Sequence, residues 1–295
     1  MIEVLPILLI FLSGYIFKRL HKDSSKELVD IVIYFIFPIF IIYKVHYLEF
    51  SDDIYLVSFF AFLAFVLGIF FSYLFVRLFN IDTNSGAMIA MSVAFGNTSF
   101  LGFAFVDSYY GSYALSLAVL YDQVNMLLLA LLSPLICAYG VKQQSVSFKK
   151  ILHKVISFPP TIAFIVALIS KLFILPEVAN IFLEKISLVL VPMIMFAVGM
   201  RFELSDTKGK YKEISIIILI SMVLIPATLY IISLPFINID IPLKVSIMEA
   251  AMPPMVMATV IAIKSGLNEK LGMGALGVGM ILSFITIPAV FSLLD

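Results

Sequence analysis

The chain reads as an all-α membrane protein of ten transmembrane helices in a 5+5 inverted repeat, with helices 4 and 9 broken in mid-membrane. Three observations point there. Apolar runs near 20 residues recur along the 295 residues, of which 62% are apolar and 13% charged, and mean hydropathy is +1.13. A single soluble core stops growing near this length and cannot hide so much apolar surface. The prolines of the first half, Pro6, Pro38 and Pro134, each have a mate 154 positions on, at Pro160, Pro192 and Pro288. Lysine and arginine gather in alternate loops.

Ten spans can be drawn, at about 2–17, 28–46, 54–79, 86–106, 113–139, 155–175, 181–200, 213–234, 243–264 and 270–294. The first opens Met-Ile-Glu, has no basic leader, and is followed by Lys18 and Arg19 where a cleavage site would need small residues, so it reads as a retained helix. With the loops numbered from the N-terminus, one side receives fifteen of the 19 Lys and Arg; the other receives Lys44, Lys171, Lys185 and Lys244. The positive excess marks the cytoplasmic face. Both termini are therefore expected outside, in a cell (inner) membrane. Zero net charge argues against a nucleic-acid partner. The one cysteine, Cys137, permits neither an internal disulfide nor a thiolate metal motif. With no tryptophan, an interfacial aromatic belt must come from the 13 tyrosines.

The proline offset divides the chain. Residues 1–141 form a first five-helix repeat and 155–295 a second, leaving 142–154 as a cytoplasmic linker loop. Proline fixes φ and removes a backbone donor, so matched prolines mark matched backbone events. Five is odd, so the two copies must lie in opposite orientations, the pattern of secondary transporters. At the same offset, Gly96-Asn97-Thr98-Ser99 in span four falls on Ala250-Ala251-Met252-Pro253 in span nine, and Pro254 follows. A helix interrupted at membrane depth frees N–H and C=O groups that hydrocarbon cannot satisfy, so it survives only inside protein or against a cavity. Half-helix N-termini then suit an anion and freed carbonyls a cation. Gly96, Asn97, Thr98, Ser99, Ala251, Met252, Pro253 and Pro254 are accordingly the candidate substrate-binding positions.

Two carboxylates lie deep within spans, Asp122 in span five and Glu249 directly before the span-nine break. Ionisable groups at that depth are costly and are functional candidates by default. Asp122 shares a helix face with Asn125, three residues on, whereas Gln123 points elsewhere. The candidate cation-coupling set is Glu249, Asp122, Asn97 and Asn125, for a proton or a sodium ion. Sodium favours oxygen ligands, which Asn97, Thr98, Ser99, Asn125 and Glu249 offer. The polar groups are not doubled: at the offset Glu249 falls on Phe95, Asp122 on Leu276 and Asn97 on Ala251. The GxGxxG match at Gly272–Gly277 lies in an apolar span and reads as a helix-packing surface. His21, His46 and His153 form no metal-ligand spacing. No nucleophile–base constellation is present, so neither an enzyme nor a cofactor beyond the coupling ion is expected.

On these features, the ten-span repeat, the Gly96-Asn97 break, the Glu249-Ala-Ala-Met-Pro-Pro254 break and the helix prolines Pro38 and Pro192, the whole chain resembles the auxin efflux carrier family. That family includes plant PIN-type carriers and bacterial malate or malonate permease-like proteins. The resemblance implies transport of small organic anions, such as auxin or dicarboxylates, by an elevator-like movement. It implies a fold similar to bile-acid:sodium symporters, with helices 1, 2, 6 and 7 as a panel and helices 3–5 and 8–10 as a mobile core. In that fold the broken helices 4 and 9 cross at the substrate site. Glu249 stands where those symporters place a sodium ligand, and Asn97 resembles their Asn at the first break. The chain departs from plant members in its short loop near 140–154 and in the lack of a proline in span four. The expected partners are a small organic anion and the bilayer. The prolines and glycines suit a monomer or a homodimer equally. The alternative is a sodium/proton antiporter, with Asp122 and Glu249 as its exchange site and no organic substrate.

Overall fold

The computed structural model describes residues 5–21, 24–49, 51–142, 157, 159–202, 207–235 and 240–295. The expected linker therefore lies outside the described residues beyond Lys142, together with Lys149, Lys150, His153 and Lys154. Regular structure among the described residues is helical: α1 Leu5–Leu20, α2 Ser25–Tyr47, α3 Asp52–Leu78, α4 Thr83–Ala94, α5 Thr98–Gly140, α6 Pro159–Ser170, α7 Glu177–Arg201, α8 Tyr211–Ser233, α9 Ile241–Ala250, α10 Val256–Lys264 and α11 Glu269–Leu294. Six of these, α2, α3, α5, α7, α8 and α11, are long and apolar enough to cross a bilayer. The first helix has 16 residues and α6 has 12, short of the roughly 20 that a perpendicular crossing needs.

Span four was expected to end near 106 and span five to begin near 113. The structure has no loop there. α5 runs for 43 residues, about 65 Å if straight and twice the thickness of a hydrocarbon core. It is not straight: Gly111 has φ 75° and ψ −166°, a backbone that a residue without Cβ adopts cheaply. Hydrogen bonds from Thr98 to Asp122 and from Asn125 back to Gly96 are both centred near residue 110. The two parts of α5 therefore lie antiparallel, hinged at that glycine.

Two prolines leave a visible mark. α2 widens to a π-turn over Val32–Ile36, just before Pro38, and α8 does so over Ile220–Leu224, before Pro226. Proline lacks the N–H that would continue the ladder and its ring crowds the preceding turn, so a wider turn carries the helix past it.

Helices α1, α2, α6 and α7 pack against one another. At the α1–α7 crossing a Cβ on Gly14 would stand 2.1 Å from the Phe196 carbonyl oxygen, and one on Gly199 1.9 Å from that of Phe11. This is the close backbone approach that small residues allow between membrane helices. At one end of the group Lys171 donates to the carbonyls of Val45 (3.2 Å), His46 (3.0 Å) and Leu48, closing off the α2 C-terminus. Tyr47 donates to Asn180 there at 2.5 Å. Helices α3–α5 and α8–α11 form the other packed group. The two groups meet through Phe37 and Phe40 against Phe103, with centroids 5.9 and 5.6 Å apart, and through Phe11 against Phe284. Buried Lys44 also crosses from α2 to donate to the Ser112 hydroxyl at 2.7 Å.

Candidate functional site: a crossing of two broken helices

Two helix interruptions define the site. One runs between the end of α4 at Ala94 and the start of α5 at Thr98, the other between the end of α9 at Ala250 and the start of α10 at Val256. The extended residues of the two breaks pair with each other. Gly96 and Pro254 form an antiparallel bridge. The Asn97 N–H donates to the Pro253 carbonyl at 2.8 Å, and the Met255 N–H donates to the Phe95 carbonyl at 2.9 Å. The prolines, which have no N–H, thus sit where the other strand supplies donors. This pairing satisfies backbone that hydrocarbon would leave bare.

The first break carries a polar network. Thr98 and Ser99 donate their hydroxyls to Asp122 Oδ1, at 2.6 and 2.5 Å. Asn125 Nδ2 lies 3.1 Å from the Gly96 carbonyl and 3.2 Å from Thr98 Oγ1. Asp122 is fully buried and its Oδ2 has no partner. Gln123 is also buried but makes no bond to this network.

The second break is the reverse. Glu249, 1% exposed, has both carboxyl oxygens buried without a hydrogen-bond partner. Its carboxyl lies over Gly102 on the first turn of α5, where a Cβ would stand 2.0 Å from Oε2 and 2.7 Å from Oε1. Gly102 is thus the cradle of this carboxyl. An ionised carboxylate buried without a partner costs several kcal/mol, roughly, and such a group takes up a proton or a cation instead.

Two small cavities adjoin the crossing and share no lining residue. One, about 20 Å³, is lined by Asn97, Ser99 and Phe100 from the start of α5 and by Met255, Val256 and Met257 from the start of α10, and is closed by Ile33, Phe37 and Met126. Neither helix start carries a side-chain cap, so the first N–H groups of both are free of intrahelical partners and add the positive end of two helix dipoles. Asn97 Nδ2 is also buried without a partner. The other cavity, also about 20 Å³, is lined by Glu249, Thr98, Tyr121 and Asn125, together with Ala94 and Ala250 at the C-terminal ends of α4 and α9. Carbonyl ends, hydroxyls and a carboxyl make it a setting for a cation. Each volume holds about one water.

All the sequence-predicted residues lie at this crossing: Asn97, Thr98, Ser99, Asp122, Asn125, Glu249, Ala251, Met252, Pro253 and Pro254 are buried, and Gly96 is half-buried. The grouping differs from the expectation in one respect. Asn97 does not line the Glu249 cavity; Thr98, Asn125 and Tyr121 do. Sequence reasoning missed Gly102, Met255–Met257 and the closing residues Ile33, Phe37 and Met126. For Gly102 the signal was a glycine one turn after Thr98 in a stretch with no turn to explain it. Among the described residues no three His, Cys, Asp or Glu side chains cluster to hold a metal.

Apolar helices long enough to cross a bilayer, wrapped around two interrupted helices whose backbones satisfy each other, define an integral membrane transport protein and not an enzyme. The chain is 25% identical to an uncharacterized transporter of Methanothermobacter thermautotrophicus, over 97% of this chain and 95% of that protein. It is 29% identical to an uncharacterized transporter of Methanocaldococcus jannaschii, over 99% of this chain and 94% of that protein. The chain belongs to the membrane transport protein family, whose profile matches residues 1–291, in agreement with the resemblance to auxin efflux carriers.

Proposed function

We propose that the protein is a secondary carrier of small organic anions, with the substrate carboxylate held at the cavity formed by the starts of α5 and α10. The observation that carries this reading is the convergence there of two uncapped helix N-termini with the Asn97 amide. Backbone N–H groups and helix dipoles favour an anion. The cavity is too small for a dicarboxylate as it stands, so loading requires Ile33 and Phe37 of α2 to part from α5 and α10. That separation is the motion of an elevator carrier, with α1, α2, α6 and α7 as panel and the remaining helices as core. In this reading the chain is a ten-segment inverted repeat: α4 with the first part of α5 is segment four, and α9 with α10 is segment nine. Its termini lie outside, as the division of Lys and Arg suggests.

Glu249 is the coupling group. A proton, or a sodium ion held with Thr98 and Asn125, would satisfy its buried oxygens and accompany the anion. The test is uptake of labelled malate into proteoliposomes with sodium and proton gradients imposed separately. Uptake driven by one gradient supports the reading and names the ion. Cation-for-proton exchange that proceeds without any added anion would instead establish an antiporter, which the nearby second carboxylate of Asp122 would serve.

A further inference from the structure

A second, larger crevice lies away from the crossing. It measures about 460 Å³ and is floored by Gly86, Ala87 and Ala90 of α4, with walls from α3 and from the end of α5. An adjoining hollow of about 320 Å³ shares Ile69, Leu135 and Ile136 with it and reaches Phe65 and Val66. Together they make one groove along α3 from Arg77 to Phe65. Twelve residues of helix span about 18 Å, close to the roughly 15 Å depth of one leaflet's hydrocarbon.

The groove is chemically graded. Its inner part is apolar. Its outer end carries Arg77, Asn80 and Thr83. The Arg77 guanidinium lies over the Tyr73 ring at 5.4 Å, and among the described residues no carboxylate pairs with it. Lys212 stands nearby, 4.5 Å from the Phe79 ring. Between the two ends, Ser72 is 1% exposed, lines the groove, and has a hydroxyl with no hydrogen-bond partner. A helical serine ordinarily bonds the carbonyl one turn back, as Ser221 and Ser246 do here. Ser72 sits five residues below Arg77, about 7.5 Å along the helix.

We propose that this groove binds an anionic glycerophospholipid. One acyl chain lies along Ile69, Leu135 and Phe65, the phosphate sits on Arg77, and the ester carbonyl accepts from Ser72. The length matches one leaflet, the cation stands at the depth of the headgroup, and the one unsatisfied donor lies just beneath it. A soluble acid would leave the apolar 18 Å unfilled, and a zwitterionic lipid would gain less from an unpaired guanidinium.

The experiment is native mass spectrometry of the full chain released from detergent after equilibration with phosphatidylglycerol or phosphatidylcholine. Wild type, Arg77→Gln, Ser72→Ala and Ala90→Leu are compared, with the thermal midpoint measured for each lipid. The expected result is at least tenfold greater retention of phosphatidylglycerol by wild type. That preference is lost in Arg77→Gln, and both lipids are retained less in Ala90→Leu, which fills the floor. Equal retention of the two lipids by wild type would overturn the proposal. So would phosphatidylglycerol retention unchanged in Arg77→Gln and Ala90→Leu proteins that keep the wild-type midpoint without lipid. Displacement of the bound lipid by millimolar malate would overturn it too, by making the groove a path for soluble anions.

Discussion

The two breaks at the crossing share a backbone plan and differ in what they leave unsatisfied. At the first, Thr98, Ser99, Asp122 and Asn125 are hydrogen-bonded to one another within 3.2 Å. At the second, the residues between α9 and α10 offer no polar side chain, and the Glu249 carboxyl beside them has neither oxygen bonded. The Asp122 carboxyl keeps Oδ1 bonded to two hydroxyls and only Oδ2 without a partner. An orphaned carboxyl at membrane depth needs a proton or cation to be tolerable. Under the proposed function, the more fully bonded first break has the structural part and the second carries the ion coupling.

The sharpest way to break that division is Glu249→Gln. Gradient-driven flux should fall to background while the thermal midpoint holds or rises, because a neutral amide is cheaper to bury than an unpaired carboxylate. Unchanged coupled flux would contradict the division. Next is Gly102→Ala. The added methyl would overlap the Glu249 carboxyl, so coupled flux should drop at least about tenfold, with a loss of about 1–3 kcal/mol in stability, as overpacking typically costs. Flux and thermal denaturation read both effects.

On the first side, Ser99→Ala removes one of the two donors to Asp122 Oδ1 without altering the lining of the Glu249 cavity. It should cost about 1–3 kcal/mol in denaturation measurements and leave the choice of driving ion unchanged. A switch of coupling ion would move Asp122 into the coupling role. The smallest expected effect lies at the start of α4, where Asp82 accepts from the Ser85 N–H at 3.0 Å. Asp82→Ala should cost about 1 kcal/mol, as for a lost N-cap. That backbone bond is the main reason the Asp82 carboxyl titrates below the ordinary aspartate value. Its contribution is therefore present above about pH 3.9, the unfolded value, and fades as pH falls through the lower folded one. Midpoints from pH 6 down to pH 3 should converge for wild type and Asp82→Ala.

Much of this was legible in the sequence. The positions of both breaks followed from Gly96 and Pro253-Pro254, and the Asp122–Asn125 face followed from helical spacing. Glu249 stood out because an acid inside an apolar run is costly. What escaped depends on approach in three dimensions. Nothing local shows that Gly102 houses a carboxyl from a distant helix, or that Asn97 and Glu249 line different cavities. The reversal near Gly111 was legible as the gap between spans four and five; what escaped is that a single glycine with φ 75° makes it, in place of a loop. Lys171 was counted only as one of four charges on the side with few cations; that it caps α2 shows only in the structure.

The central claim is that the Glu249 carboxyl takes up a cation or a proton, and it can be tested without knowing the substrate. The thermal midpoint of purified wild type and Glu249→Gln would be followed while sodium replaces choline at constant ionic strength, and again while pH is lowered from 8 to 5. The account predicts that wild type is stabilised by sodium or by protons and that Glu249→Gln is indifferent to whichever ion acts. Equal responses of the two proteins to both titrations would contradict it.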